Sequence, residues 1–294
     1  MSVREPSAST APSATPTSSG VSVFVIVLAS IIAFVVLAAI FADFLALHPA
    51  DEASLRNRLK PPVWFEGGSW LYPLGTDDLG RDIWSRMVFG ARVSLSVGLF
   101  AVGGAGSIGV ALGLIAGYMG GRTDAVLMRV TDAALAVPLI LVALLFVVTL
   151  GQAFINVIIA LAILLWSRYT RVIRSEVLSL KERDFVALAR IAGASHLRIM
   201  VRHILPNIMN TAVVLFTLQL GTVILVEASL SFLGAGVPPP TPAWGTMVAD
   251  GRDFTATAWW ISFFPGVAIL VTVLSFNLFG DWLRDRLDPK LRQL

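Results

Sequence analysis

The side chains that could do chemistry in this 294-residue sequence are few, and they form no recognisable catalytic set. His48, His196 and His203 fall in predicted loops, and none has a serine at a spacing that would place a nucleophile beside it. Cysteine is absent, which excludes disulfides, thiolate metal sites and cysteine nucleophiles. The pattern GxxxxGK followed by Ser or Thr is also absent, so any nucleotide chemistry must come from another chain. An intramembrane hydrolase, which needs a Ser-His pair, an Asp pair or a metal cluster, therefore finds no support.

Glu227 is an acidic residue well inside an apolar stretch, where an ionisable group is a functional candidate by default. One interpretation places Glu227 and Ser231 on a substrate pathway or gate. The other is a structural partnership of Glu227 with a nearby hydroxyl, amide or arginine. Asp132, near the predicted start of another apolar stretch, is expected to cap or pair there.

The composition indicates a membrane protein. Hydrophobic residues make up 56% of the chain and charged residues 14%, with a mean hydropathy of +0.80, whereas a soluble domain carries about 25% charged residues. The net charge of +3 is small, and no basic stripe interleaved with aromatics occurs, so a nucleic-acid partner is not expected. We predict an all-α integral membrane protein.

A helix needs about 20 residues to cross the hydrocarbon core, and a window of that length finds six apolar stretches. They lie near 21–43, 92–117, 128–150, 154–170, 209–233 and 259–282. The predicted organisation is a disordered tail 1–20, a first transmembrane helix 21–47, a loop 48–91 with a short surface helix, a core 92–283 and a second tail 284–294.

The basic residues predict the orientation. They concentrate in the loop 171–207 and in the C-terminal tail, whereas those of 48–91 are balanced by acids. The positive-inside rule then places 171–207 and both termini in the cytoplasm, and 48–91 outside. We predict a multi-pass protein of the bacterial plasma (inner) membrane.

Smaller patterns predict local features. Ala105, Gly109, Gly113 and Gly117 form a stripe of small residues on which another helix can pack closely. Aromatic residues at predicted span ends, as expected at a membrane interface, are Trp166, Tyr169, Trp259 and Trp260.

Prolines and a threonine predict bends and ends of helices. Thr76 is expected to cap a short surface helix that begins near Asp77. Pro138 and Pro265 are expected to kink their spans, and the proline-rich loop 234–245 is expected to be rigid.

The segment within the predicted cytoplasmic loop is an interrupted basic helix. Ser179 begins a capping-box pattern that predicts a helix over 180–192. Gly193 can supply a left-handed end, Ser195 can cap a second helix, and Pro206 is expected to break the chain before the next span. Such a helix could rest on lipid headgroups or dock into a groove of a soluble partner.

This segment resembles the EAA loop of ABC-importer permeases. Ala189, Gly193 and the run Ile204-Leu205-Pro206 occupy matching places, whereas the position of the pattern's glutamate holds Ala187. The stretches 74–98, 227–252 and 277–292 resemble further segments of the C-type permease subunit of dipeptide, oligopeptide and nickel importers. The four stretches occur in the family's order.

The resemblance implies a type I ABC importer permease fold with six transmembrane helices, in which 180–192 is the cytoplasmic coupling helix. It implies as partners a homologous second permease subunit, two nucleotide-binding ATPase subunits that bind ATP and Mg, and an extracytoplasmic solute-binding protein. The residues it assigns to coupling are Arg183, Asp184, Phe185, Leu188, Ala189, Arg190, Gly193, Ala194, Leu197 and Pro206. With no glutamate at Ala187, an ion pair to the ATPase would fall to Arg183, Asp184 or Arg190.

The predicted function is therefore that of a non-enzymatic permease subunit, within a heterodimer of permeases, importing di- and oligopeptides. The same machinery could instead import nickel chelates, haem or another small solute. An ion-coupled secondary transporter would use Glu227 as a carrier, but the internal repeats common in that class are not evident. A membrane scaffold without transport activity is the remaining alternative.

Overall fold

The computed structural model describes residues 23–287, which fold entirely as helices and loops. The described residues contain no β-strand, only two isolated bridges. The α-helices are α1 Val23–Ile40, α2 Ala42–Leu45, α3 Ile83–Met119, α4 Gly121–Ala136, α5 Leu139–Leu150, α6 Phe154–Leu180, α7 Asp184–Ile191, α8 His196–Arg198, α9 Leu205–Phe232, α10 Trp244–Asp250 and α11 Trp260–Leu287. Short 3₁₀ turns lie at Leu55–Asn57 and Arg252–Phe254, and a π-helical turn at Ile199–Ile204. The predicted all-α class is confirmed.

Five helices are long and apolar enough to cross a membrane: α1, α3, α6, the continuous run His196–Phe232, and α11. The pair α4 and α5 makes a sixth if it is taken as one broken span. The predicted tail 1–20 lies outside the described residues. Helix α11 continues to Leu287, into the predicted tail 284–294, and the rest of that tail lies outside the described residues.

Helix α3 is longer than predicted. It begins at Ile83, where the carboxylate of Asp82 accepts a hydrogen bond of 3.0 Å from the Ser85 backbone N–H. The predicted surface helix capped by Thr76 is wrong, because the Thr76 hydroxyl bonds within the loop instead, accepting from the Lys60 N–H at 2.8 Å. With 37 residues, α3 is about 55 Å long. It connects the 41–82 end of the bundle to the opposite end, which carries residues 181–195.

The small-residue stripe of α3 packs against α6, as predicted. A Cβ on Gly109 would lie 2.4 Å from the Tyr169 Cβ, and one on Gly117 would lie 2.7 Å from the Val177 Cβ. These distances leave no room for a side chain, so the two backbones are as close as glycine allows. The same packing buries Tyr169 to 1% exposure, and its predicted place at the membrane interface is wrong.

The predicted third span 128–150 is not one rod. Its helices α4 and α5 meet at 87°, and Pro138 stands at the start of α5. Proline removes a backbone donor and disfavours helix in the residue before it. The kink predicted at Pro138 is confirmed, whereas Pro265 lies inside a helix that continues past it.

Ion pairs hold α4 against α6. The Arg174 guanidinium donates to both carboxylate oxygens of Asp124, with 2.6 Å between Nη2 and Oδ2. Arg171 Nη2 lies 2.5 Å from Asp132 Oδ1. Asp132 therefore pairs near a helix end, as predicted.

Pro206 does not break the chain as predicted. It is the second residue of α9, and the wider turn Ile199–Ile204 leads into it without a change of direction large enough to end the run His196–Phe232. A proline is tolerated there because the N–H of a first-turn residue needs no helical partner.

Candidate functional site

The segment predicted to act in coupling comprises residues 181–204, and we call it the coupling segment. It lies at the 181–195 end of the bundle, between α6 and α9. Helix α6 extends ten residues beyond its predicted end, to Leu180, and α7 begins only at Asp184. The predicted helix start at Ser179 is therefore wrong, because Ser179 lies in the last turn of α6. Arg183, with extended backbone, precedes α7, and the Asp184 carboxylate in the first turn suits the positive end of the helix dipole.

The turn after α7 has the predicted geometry. Gly193 adopts φ +76°, its N–H donates to the Arg190 carbonyl at 3.0 Å, and the Ala194 N–H donates to the Ala189 carbonyl at 3.0 Å. These two bonds are a Schellman ending. Ser195 then caps α8, accepting from the Arg198 N–H at 3.3 Å. The break between the two short helices is thus fixed by local hydrogen bonds.

Val186 anchors α7 to the bundle. All residues of α7 are described by the structure. Val186 is the buried one among them, and it has no exposed surface. Its apolar neighbours come from α3, α6, α9 and the π-turn: Leu114, Tyr118, Ile173, Val177, Ile199, Ile204, Ile208 and Ala212. Ala189 and Ala194 pack on the edge of this cluster. Val186 was not predicted from the sequence, and the residues assigned to coupling included its exposed neighbours Phe185 and Leu188 instead.

Tyr118 is the second contact between the coupling segment and α3. Its hydroxyl lies 3.0 Å from His196 Nδ1, and the Arg190 guanidinium lies 5.7 Å from the centre of its ring. Tyr118 is itself 7% exposed. One side chain at the end of α3 thus contacts the helices on both sides of the Gly193 turn, and nothing in the sequence pattern pointed to it.

The rest of the segment faces away from the bundle. Leu188, Ile191 and Leu197 are 64%, 83% and 66% exposed. The other predicted coupling residues that are exposed are Arg183, Asp184, Phe185, Arg190, Gly193 and Pro206. An exposed apolar surface on a short helix with a buried anchor is typical of a protein–protein docking element.

Glu227 lies between α9 and α3 and is fully buried. Its Oε1 accepts from the Ser231 hydroxyl at 2.7 Å, and its Oε2 accepts from the Ser94 hydroxyl at 3.1 Å. Both carboxylate oxygens thus have the kind of hydroxyl partner that the structural interpretation requires. Ser231 also lines a cavity of about 230 Å³ together with Gln152 and the prolines 238–240. A pathway role for Glu227 and Ser231 stays a prediction.

A charged cluster at the 41–82 end borders the same cavity. The Arg81 Nε lies 2.6 Å from Asp77 Oδ2, and the Nη2 atoms of Arg81 and Arg86 lie 3.5 and 3.4 Å from Asp250 Oδ2. Burial raises the pKa of Asp250, and the charges of Arg86 and Arg81 offset that rise only in part. The cluster connects the loop before α3 to α10. The sequence predicted only that the basic and acidic residues of the loop 48–91 balance one another in charge.

No group of His, Asp and Glu side chains within residues 23–287 could hold a metal ion. The groups brought together at the 181–195 end can bind a partner surface, and those at the 41–82 end hold segments of this chain together.

Comparison with known proteins gives concordant matches. The family model described as "Binding-protein-dependent transport system inner membrane component" matches residues 109–293. The Di/tripeptide transport system permease protein DppC of Pseudomonas aeruginosa is 45% identical over 258 residues, which are 88% of this chain and 85% of that protein. The Dipeptide transport system permease protein DppC of Escherichia coli K12 is 47% identical over 262 residues, 89% and 87% of the two chains. The protein of the same name from Alkalihalophilus pseudofirmus is 45% identical over 265 residues, 89% and 84%.

Proposed function

The chain belongs to the binding-protein-dependent transport system inner membrane components, and we propose that it forms half of the pathway for di- and oligopeptides in an ATP-driven importer. The family confirms the resemblance seen in the sequence. The relatives named above carry peptide transport in their names, which supports peptides over nickel chelates or haem as the cargo.

The observation that carries the proposal is the exposed helix α7. Its buried Val186 fixes it to α3, α6 and α9, while Leu188 and Ile191 are left on the surface. We infer that this surface docks into a groove of a nucleotide-binding subunit, which closes on ATP and pushes α7 against the bundle. ATP and Mg are bound by that partner and not by this chain.

The proposed assembly holds a homologous second permease subunit, two ATPase subunits and an extracytoplasmic solute-binding protein. Docking to a cytoplasmic ATPase requires the 181–195 end and both termini to face the cytoplasm and the 41–82 end to face outwards. The basic residues of 171–207 support that orientation by the positive-inside rule.

A cysteine crosslink tests the docking. The natural chain has no cysteine, so Leu188→Cys carries a single thiol, and it should crosslink to the ATPase subunit in the assembled complex. Ala53→Cys, an exposed position at the opposite end, is the matched control and should not. A complex that imports solute without any Leu188→Cys crosslink would favour the scaffold or lipid-surface interpretation of α7.

Transport assays test coupling and cargo. Gly193→Leu should lower peptide uptake at least fivefold at unchanged membrane levels, because a branched residue resists φ +76°. Gly266→Leu is the control, since that glycine has an ordinary φ and a Cβ added to it would have no described atom within 4 Å.

Uptake in proteoliposomes that persists with an inactivated ATPase under a proton gradient would establish the secondary-transporter alternative instead. Uptake of nickel chelates or haem without uptake of peptides would change the proposed cargo but leave the proposed coupling mechanism in place.

A further inference from the structure

The loop between α2 and α3 contains a compact turn, residues 62–73, which we call the aromatic hairpin. Its ends are joined by a hydrogen bond of 3.1 Å from the Val63 N–H to the Pro73 carbonyl. Within it, the Gly68 N–H donates to the Phe65 carbonyl at 3.0 Å, and the Tyr72 N–H donates to the Ser69 carbonyl at 3.0 Å. These bonds make the hairpin a folded unit rather than a loose connection.

The aromatic hairpin exposes large apolar side chains. Trp64 is 57% exposed, Phe65 45%, Trp70 81% and Leu71 58%. Glu66 is the one acidic or basic side chain in these twelve residues. So many exposed aromatic side chains are unusual in a loop surrounded by water. Large apolar patches usually mark a surface that contacts protein or lipid.

The hairpin sits against the first turns of α11. The rings of Trp64 and Phe264 are 6.0 Å apart and edge-on, and those of Phe65 and Trp259 are 6.1 Å apart. Trp259 in turn packs edge-on to Phe263 at 5.2 Å. The exposed aromatics of the hairpin are therefore continuous with those at the first turns of α11, a helix long and apolar enough to span a membrane.

That side of α11 is an exposed apolar surface of this chain. Phe263, Val267, Leu270 and Leu274 recur at helical spacing and are 38% to 63% exposed. Helix α1 packs against both α11 and α3, and only 17% of it is buried within the chain. An uncharged, apolar helix so little covered by its own chain has a surface suited to the hydrocarbon of a bilayer, and α11 is its neighbour.

We propose that the aromatic hairpin is a lipid-binding element that lies in the headgroup region of the leaflet at the start of α11. Tryptophan and other aromatic rings at span ends favour this region, because it is apolar on one side and wet on the other. The hairpin rests on the membrane surface, while the rest of the loop 41–82 stays in water. The Glu66 carboxylate stays on the water side. The proposal does not depend on the transported solute.

The absence of native cysteine allows a direct test in lipid nanodiscs that contain the assembled transporter. An environment-sensitive fluorophore is attached to Trp70→Cys or to Leu71→Cys, the second of which keeps Trp70 in place. Lipids with a nitroxide near the headgroup should quench both at least twofold more than a fluorophore on Ala53→Cys. Ala53 is exposed in the same loop and follows Asp51 and Glu52, so its fluorophore should stay in water.

Two results would overturn the proposal. Equal quenching at Leu71→Cys and Ala53→Cys would show that the hairpin stands clear of lipid. Weak quenching at Leu71→Cys combined with a blue shift on addition of the solute-binding protein would show that the hairpin is a protein docking surface.

Discussion

Tyr118 and Tyr169 carry the same side chain into different surroundings. The Tyr118 hydroxyl pairs with His196 Nδ1 at 3.0 Å, whereas the Tyr169 hydroxyl is buried with no hydrogen-bond partner among the described residues. A buried donor without a partner costs about 1–3 kcal/mol, and a hydrogen bond that is made contributes about 0.5–1.5 kcal/mol. The same substitution should therefore have opposite effects at the two positions.

We predict that Tyr118→Phe loosens the contact between α3 and the coupling segment while its ring still packs against Arg190. The expected result is a roughly twofold to tenfold rise in ATP hydrolysed per solute imported, as a hydrogen bond of that strength implies. ATPase and uptake rates measured on the same proteoliposomes give this ratio.

Tyr169→Phe is the matched control for that experiment. It should leave the ratio unchanged and raise the Tm of the purified complex, because it removes an unsatisfied hydroxyl and keeps the packing against Gly109. An unchanged ratio in Tyr118→Phe, or equal changes in the two variants, would show that the Tyr118–His196 bond plays no part in coupling.

Residues whose role is set by local backbone geometry could be predicted from the sequence, and those set by tertiary contact could not. Gly193 and Ser195 were found because a left-handed turn and a helix cap have their own sequence preferences. Val186 and Tyr118 were missed because the residues they pack against lie on other helices. Glu227 was noticed for its charge, but its partner Ser94 lies 133 residues away.

The contact between α3 and α6 is close along its length, because Gly109, Gly113 and Gly117 of α3 leave no room for a side chain. We predict that Gly113→Ala lowers the Tm and the monodisperse yield of the complex, because the new Cβ would lie 2.8 Å from the Thr170 carbonyl oxygen and 2.9 Å from the Ile173 Cβ. Overpacking of this kind typically costs about 1–3 kcal/mol. Gel filtration and thermal unfolding in detergent measure both quantities.

Gly103→Ala provides the comparison within the same helix. No described atom lies within 4 Å of the position that its new Cβ would take, and alanine is the better helix former by about 1 kcal/mol, so its Tm should equal or exceed that of the natural chain. A Gly113→Ala variant as stable as Gly103→Ala would contradict the close approach of α3 and α6.

The number of apolar stretches was predictable at the element scale, but the lengths of the helices were not. A hydropathy window stops at charged residues, whereas helical hydrogen bonds continue through them. For that reason α6 was predicted to end near 170 and in fact reaches Leu180. Pro138 predicted a bend between α4 and α5, but the sequence did not predict that its angle is 87°.

Ion pairs connect distant parts of the whole molecule at the 41–82 end. Asp250 of α10 meets Arg86 of α3 across 164 residues of sequence, with Arg81, Asp77 and Asp78 close by. Folding raises the pKa of Asp250 above its ordinary value of 3.8, chiefly through burial. A carboxyl raised in this way stabilises the fold most fully below its unfolded pKa and loses that contribution as the pH rises through its folded pKa.

We predict that the natural chain gains Tm relative to Asp250→Asn as the pH falls from 7 to 4, because only the natural chain can take up the proton. The Tm of both complexes measured across this range tests the sign. Asp43→Asn should show the opposite trend, mostly at pH values below the ordinary carboxyl pKa of 3.8, since the hydrogen bond from Arg92 lowers the pKa of Asp43. A natural chain that loses Tm relative to Asp250→Asn on acidification would mean that the two arginines outweigh burial.

At the scale of the whole molecule, composition predicted a membrane protein, and the orientation inferred from the charge distribution stays a prediction. Contacts such as that of Asp250 with Arg86 depend on how the helices are arranged, and no local pattern encodes them. The two resembling stretches 74–98 and 227–252 contain both partners of that contact, but their resemblance gave no indication that they meet.

The bend at Val137 and Pro138 bears on how a bilayer can surround this chain. Where α4 ends and α5 begins, the carbonyl groups of the last turn of α4 lose their helical partners. Inside hydrocarbon each such peptide group would cost several kcal/mol, and non-helical backbone at that depth persists only against protein or water. A corner at that depth would have to be wetted or covered by a neighbouring subunit, and a bilayer around an isolated copy would then have to admit water at this point.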